Sequence, residues 1–476
     1  LDDILCGGLI AERMYLVDGN PGAGKTTLAL QFLLEGVRAG ERCLYVTLSE
    51  TATELITVAH AHGWSLNGIE ILELIVDEST LREDAQLTML HASDLELTET
   101  TQKLLAALDR IKPDRLVLDS LSELRLLAQT SLRYRRQILA LKQLFLGRTC
   151  TVVMLDDRTG EGPDMQLHSI AHGVISLESE TPRYGQTRRQ LEVRKFRSSH
   201  FVSGLHDFSI YRGGLTVFGR LMASEHFVPF RKELIASGVA NLDALLGGGI
   251  DRGTSTLLAG PPGSGKSTIA IQYALAATKR GDHACIFMFD ETKAALLTRC
   301  EGLGMEIQAG TGPGQIMLRQ VDPAEVSPGE FVALVRHSVE HEKARVVVID
   351  SLNGYLNCMP RDNFLTAQLH ELLTYLNNSG VATFLVVAQS GVMAGSMTSP
   401  VDASYLADSV VLLRYFEHGG RLKKAISTMK KRTGGHESAI RELWFDEHGI
   451  HLGEPLMQFR GILTGVPVEI QVGHRQ

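Results

Sequence analysis

Two stretches of this 476-residue chain carry the residue types that grip polyphosphate. The first is Gly19-Asn20-Pro21-Gly22-Ala23-Gly24-Lys25-Thr26; the second is Gly260-Pro261-Pro262-Gly263-Ser264-Gly265-Lys266-Ser267, starting 241 positions later. Both fit G-x-x-x-x-G-K-[ST], in which glycines let backbone N–H groups wrap phosphate oxygens. Lys25 and Lys266 would reach the β and γ oxygens of ATP, with Thr27 and Thr268 completing each binding set. The hydroxyls of Thr26 and Ser267 would ligate Mg²⁺. One such match can be accidental, but two at the same phase of a repeat are not.

Further reactive residues recur behind the loops. Leu116-Val117-Leu118-Asp119-Ser120 and Val347-Val348-Ile349-Asp350-Ser351 are apolar runs ending in a carboxylate. That is the pattern of a buried parallel strand, whose C-terminal edge is where open α/β sheets bind ligands. Asp119 and Asp350 are candidates to hold Mg²⁺, through water, beside the loop hydroxyls. The competing reading, an Asp that caps the next helix, is weakened by the recurrence. Glu50 and Glu291 close an earlier pair of apolar runs, and Asp290 precedes Glu291 where Ser49 precedes Glu50. These acids are candidates to position or deprotonate an attacking water. If both acids of a pair contribute, the second site should hydrolyse faster than the first.

Late in each copy, Lys195-Phe196-Arg197 and Lys430-Lys431-Arg432 end apolar strands in K-x-R. The i, i+2 spacing puts Lys195 with Arg197, and Lys430 with Arg432, on one strand face. No group in the same module evidently needs these cations, so the expectation is a γ-phosphate presented by a neighbouring subunit. A solvated strand end is the alternative.

The elements that must position these groups are legible around them. Met14–Val17 and Ser255–Ala259 read as strands before the loops, and Thr27–Leu34 and Thr268–Leu275 as helices after them. Strand, glycine loop and helix N-terminus aim a positive dipole end at phosphate. The repeat offset is still 241 at Glu50/Glu291 and falls to 231 at Asp119/Asp350, so the second copy has lost ten residues between them. The first module is expected over residues 1–222, a linker over 223–234 around Pro229, and the second module over 235–476. The fold class expected is α/β, with two tandem phosphate-loop domains built on mostly parallel central sheets.

Composition narrows the alternatives. With 44% hydrophobic and 21% charged residues the chain is ordinary globular material. No apolar run approaches the roughly 20 residues of a membrane span and no secretion signal precedes the first strand, so the cytoplasm is expected. Six scattered cysteines without a C-x-x-C pair and 17 histidines without H-E-x-x-H argue against a zinc site. A net charge of −8 argues against a salt-driven grip on nucleic acid. The stripe Arg133-Tyr134-Arg135-Arg136 reads instead as the solvated face of a helix.

Together, the paired loops, the strand-end acids followed by Thr51 and Thr292, the Asp-Ser strands and the late K-x-R resemble the KaiC family of RecA-superfamily ATPases. The likeness spans essentially the whole chain and is closest at Ala407–Glu417 and Ala439–Leu443. It implies two RecA-like domains per chain, stacked as two rings in a homohexamer, with ATP at subunit interfaces. It also implies slow ATPase activity in the first ring, Ser/Thr autokinase activity in the second for clock members, and a KaiB-like or other signalling partner. Two departures stand out. Ser49 replaces the first of two adjacent acids, and the family's phosphorylated Ser-Thr pair falls on Ser404-Tyr405, where the second hydroxyl is phenolic.

Overall fold

Six short runs in each half of the sequence become the parallel strands of a sheet, and the polar alternating runs that follow become its antiparallel margin. The computed structural model describes residues 1–74, 89–128, 130–158, 165–197, 199–357, 365–389, 405–462 and 468–469. It divides the chain into two units, Leu1–Arg220 and Leu221–Gln476.

The strands of the first unit are β1 (Met14–Gly19), β2 (Cys43–Thr47), β3 (Ile69–Glu73), β4 (Arg115–Asp119), β5 (Thr151–Asp157), β6 (Gly173–Glu180), β7 (Arg188–Phe196), β8 (Leu205–Tyr211) and β9 (Gly214–Phe218). They form one sheet in the order β3-β2-β4-β5-β1-β6-β7-β8-β9. The pairs from β3 through β6 are parallel and those from β6 through β9 antiparallel. Its helices are α1 (Lys25–Arg38), α2 (Ala52–Ala61), α3 (Met89–Ile111), α4 (Leu121–Ala128), α5 (Ser131–Phe145) and α6 (Met165–Ile170). Both sheet faces are buried. One core gathers Tyr45, Val117 and Val153 under α1, and the other gathers Val46, Leu118 and Met154 under α3 to α5. Burial on both faces explains why the parallel strands read as continuous apolar runs rather than alternating ones.

In the second unit a two-stranded ribbon, β10 (Leu234–Ile235) with β11 (Ile250–Asp251), precedes the sheet and brackets α7 (Ala240–Leu245). The sheet strands are β12 (Ser255–Gly260), β13 (His283–Met288), β14 (Ile316–Gln320), β15 (Ala344–Asp350), β16 (Ala382–Ala388), β17 (Ser409–His418), β18 (Arg421–Lys431), β19 (Arg441–Asp446) and β20 (Gly449–Pro455). Their order, β14-β13-β15-β16-β12-β17-β18-β19-β20, is the first sheet's order repeated. The helices are α8 (Lys266–Lys279), α9 (Lys293–Glu301), α10 (Pro328–Glu340), α11 (Leu352–Asn357) and α12 (Leu365–Asn378). A small ribbon, β21 (Phe459–Arg460) with β22 (Val468–Glu469), follows. Two tandem RecA-like α/β domains with mostly parallel sheets are thus present.

The stretch expected as a linker packs on the second unit over part of its length. Ala223 N donates to Glu371 Oε2 at 3.0 Å, and Val228 N to Asn378 O at 3.1 Å. Among the described residues no helix is long and apolar enough to cross a membrane. Arg133, Arg135 and Arg136 are exposed along α5, as a solvated helix face requires.

Candidate nucleotide sites

The phosphate loops lie at the C-terminal ends of β1 and β12, the central strands of their sheets. Gly24 and Gly265 cap α1 and α8 in the left-handed region, at φ 107° and 106°. A Cβ on Gly24 would stand 2.7 Å from Ile210, and one on Gly265 2.2 Å from Phe445, so both conformation and space demand glycine. Lys25 and Lys266 are buried. Lys25 Nζ donates to Gly19 O at 3.1 Å and Asn20 O at 2.9 Å; Lys266 Nζ donates to Pro261 O at 2.8 Å. Burial pushes Lys266 down to about 8, against the opposing pull of Asp350. Around these anchors stand Pro21, Gly22, Ala23, Pro262, Gly263 and Ser264, each loop doubling back from strand to helix N-terminus.

The candidate metal-holding groups come together in both units. Thr26 Oγ1 lies 3.4 Å from Asp119 Oδ2, and Ser267 hydrogen-bonds Asp350. Burial is the first cause raising both aspartates above the usual carboxylate range; hydrogen bonds from Tyr45 to Asp119 and from Ser267 to Asp350 oppose it. A hydroxyl and a carboxylate suit a hard cation such as Mg²⁺, which keeps waters and takes its other ligands from phosphates. Among the described residues no group of three or more His, Cys, Asp or Glu is placed to hold a metal by itself.

The strand-end acids differ between the units. Glu50 Oε2 is buried without a hydrogen-bond partner, and burial followed by Asp119 raises the carboxyl above its ordinary range. Glu291 is held by Arg299 through two bonds, Nε–Oε1 at 3.2 Å and Nη2–Oε2 at 2.7 Å. Arg299 also donates to Thr268 Oγ1 at 3.2 Å. Asp290 accepts from Ser351 Oγ. Two acids in the second site are therefore two engaged acids, which removes the basis for expecting it to be the faster one. At the equivalent position to Thr268, Thr27 Oγ1 meets His62 Nε2 at 3.5 Å, and the His62 ring packs on Trp64 at 4.8 Å between centroids.

The K-x-R lysines require a correction: both already have partners in their own unit. Lys195 Nζ donates to the carbonyls of His168 (2.5 Å), Ser169 (3.3 Å) and Ala171 (2.7 Å), capping the end of α6. Lys430 Nζ donates to Ala407 O at 2.8 Å. Arg432 reaches Tyr405 O at 2.9 Å and Asp408 at 3.6 Å, while Arg197, also exposed, lies past the end of β7. A single extra residue, Arg194 in β7 and Met429 in β18, bulges just before each lysine. Of the candidate phosphorylation sites, Ser404 lies outside the described residues and Tyr405 is exposed.

Three groups escaped the sequence reading. Tyr45, buried in β2, donates to Asp119 Oδ2 at 2.5 Å; the equivalent position in β13 is Ile286. Asp157 ends β5 beside the first loop and pairs with Lys25 at 2.6 Å, where β16 ends in Ala388. Arg299 is the third. Each sits within an unremarkable stretch, so only the internal repeat, compared position by position, could have singled them out.

A family model described as the ATPase KaiC matches residues 1–221 and 235–456. The circadian clock oscillator protein KaiC of Thermostichus vulcanus is 25% identical over 483 residues, spanning 100% of this chain and 91% of that protein. KaiC of Synechococcus elongatus is 25% identical over 484 residues, with 100% and 91% covered. The circadian clock protein KaiC3 of Synechocystis is 24% identical over 467 residues, with 97% and 92% covered.

Proposed function

The chain belongs to the KaiC family of ATPases, and from that premise we propose that it binds and hydrolyses Mg-ATP at two unlike sites, as a homohexamer of two rings with nucleotide at subunit interfaces. The observation that carries the reading is the duplicated arrangement of a buried loop lysine with a hydroxyl–carboxylate pair, Thr26–Asp119 and Ser267–Asp350. In each site the loop N–H groups and lysine would fix the phosphates in line for transfer. A bound Mg²⁺ would neutralise charge developing on the phosphate oxygens, held by the hydroxyl and carboxylate. Glu50, whose carboxyl burial raises above its ordinary range, suits the general base for water in the first site. Arg197, exposed past the end of β7, is the group we assign to a neighbouring subunit's phosphates in the first ring, and Arg432 would take that part in the second on leaving Tyr405 and Asp408.

The grip of Arg299 on Glu291 favours a second reading for the second unit. Slow hydrolysis there leaves ATP available to phosphorylate Ser404 of a neighbour, with Asp290 taking the hydroxyl proton. Such a protein would act as a signalling or timing switch toward a KaiB-like or other partner. The net charge of −8 disfavours the alternative of a nucleic-acid motor.

The test is phosphate release by the full chain, with light scattering for assembly and intact-mass analysis for phosphorylation. Lys25→Ala and Lys266→Ala should each lower release, and the double substitution should abolish it. Full release by the double variant, or by a monomer at every protein concentration, would overturn the reading.

A further inference from the structure

The two units share a backbone frame and fill one corner of it differently. In the second unit, under α10 to α12, Phe331 meets Phe287 and Phe289 at 5.4 Å and Tyr355 at 5.1 Å between ring centroids. The Tyr355 hydroxyl addresses Gln368 Oε1 at 3.5 Å. The frames superpose through matched bonds, Leu48 N to Asp119 O and Phe289 N to Asp350 O, both 2.7 Å. The same register sets Thr100 against Phe331, Leu124 against Tyr355 and Gln137 against Gln368. It also matches buried Tyr134, Ile138 and Phe145 of α5 to buried Leu365, Leu369 and Leu376 of α12.

Each of the second unit's four rings thus becomes a smaller side chain in the first: Val46, Leu48, Thr100 and Leu124. The glutamine stays. What results is a cavity of about 310 Å³, walled by Leu48, Leu104, Leu118 and Leu124, with Thr100 and Gln137 at its edge. Gln137 lines this cavity, and its Oε1 is buried without a hydrogen-bond partner. A buried acceptor left unpaired is unfavourable by about 1–3 kcal/mol, and an apolar cavity of about 150 Å³ suffices for a benzene ring.

We propose that this cavity binds a small aromatic molecule carrying one hydrogen-bond donor, a phenol being the simplest case. The ring would lie among the leucines and the donor would satisfy Gln137 Oε1, reproducing what Tyr355 supplies within the chain of the second unit. The volume accepts one substituted ring or two fused ones. The wall is shared with the first nucleotide site, since Leu48 donates to Asp119 O and stands two residues before Glu50. An occupant therefore supports the segment that carries the proposed general base.

The test uses 4-fluorophenol as probe and ¹⁹F NMR of the full chain. Saturable binding is expected at concentrations up to about 10 mM, displaced by unlabelled phenol, with fluorobenzene about tenfold weaker. Leu124→Tyr, which restores the second unit's own occupant, should abolish binding. Gln137→Leu should erase the preference for fluorophenol over fluorobenzene. Absence of saturable binding to the folded chain would overturn the proposal, as would undiminished binding to Leu124→Tyr. Should Leu124→Tyr fail to fold by circular dichroism, the Gln137→Leu comparison decides, and a persisting preference counts against the site.

Discussion

Releasing Glu291 from Arg299 should speed the second site. Both side chains of the pair are 31% exposed, so it lies between two regimes. A solvent-exposed ion pair contributes about 0.2–1 kcal/mol, and a hydrogen bond to a charged group about 1.5–3 kcal/mol. Discounting the bidentate contact for its exposure leaves on the order of 1–1.5 kcal/mol. If Glu291 must leave Arg299 before it can orient water, the same quantity adds to the barrier. Arg299→Ala should then raise second-site turnover about 5- to 13-fold. The assay is single-turnover phosphate release by the full chain carrying Lys25→Ala, which leaves the second site as the source. Adding Glu291→Gln should cut the rate by about 10². An unchanged or lower rate in Arg299→Ala, with nucleotide affinity intact, would refute the reasoning and make Arg299 an aid to catalysis.

Three further outcomes follow from the same geometry. Lys266 titrates near 8, and only its protonated form suits phosphate, so second-site nucleotide affinity should fall about tenfold between pH 7 and 9; Lys266→Arg should flatten the profile in a binding titration. Glu50 is raised by burial, so with Lys266→Ala silencing the second site, phosphate release should decline on acidification at a pH above the ordinary glutamate range, and Glu50→Gln should lose about 10²-fold. Asp119 is likewise raised, which means that its contribution to stability is fully present below the unfolded carboxyl pKa and is lost as pH rises through the folded value. At pH 7 without ligand, Asp119→Asn should therefore melt higher by calorimetry, while losing the stabilisation that Mg-ATP gives the parent.

Much of the scaffold was legible because its signals are local. The loops, the apolar runs of β4 and β15 and the acids that end them are short contiguous patterns, and the repeat supplied an internal check on each. What stayed hidden depends on contacts between distant segments. The carbonyls that occupy Lys195 lie more than twenty positions upstream, and nothing in K-x-R announces them. Arg299 meets Glu291 only because the Thr292 cap turns α9 back across the strand end. The strands end at Phe196 and Lys431, so Arg197 and Arg432 lie past the regular backbone on which the shared-face argument rested. The cavity required knowing which rings face one another across α10 and α11, and strand or helix patterning does not carry that information.

The contact of His62 with both Thr27 and Trp64 has a use beyond geometry. The sequence contains two tryptophans, Trp64 and Trp444, one in each unit. Trp64 is tied through the imidazole to the helix that starts at the first phosphate loop, and Trp444 stacks on His451 at 5.4 Å in the second unit. Trp64 emission should therefore change as the first loop loads, and Trp64→Phe would leave Trp444 as the sole emitter. The difference between the two proteins isolates the Trp64 signal, so loading of the first site can be timed without attaching a dye.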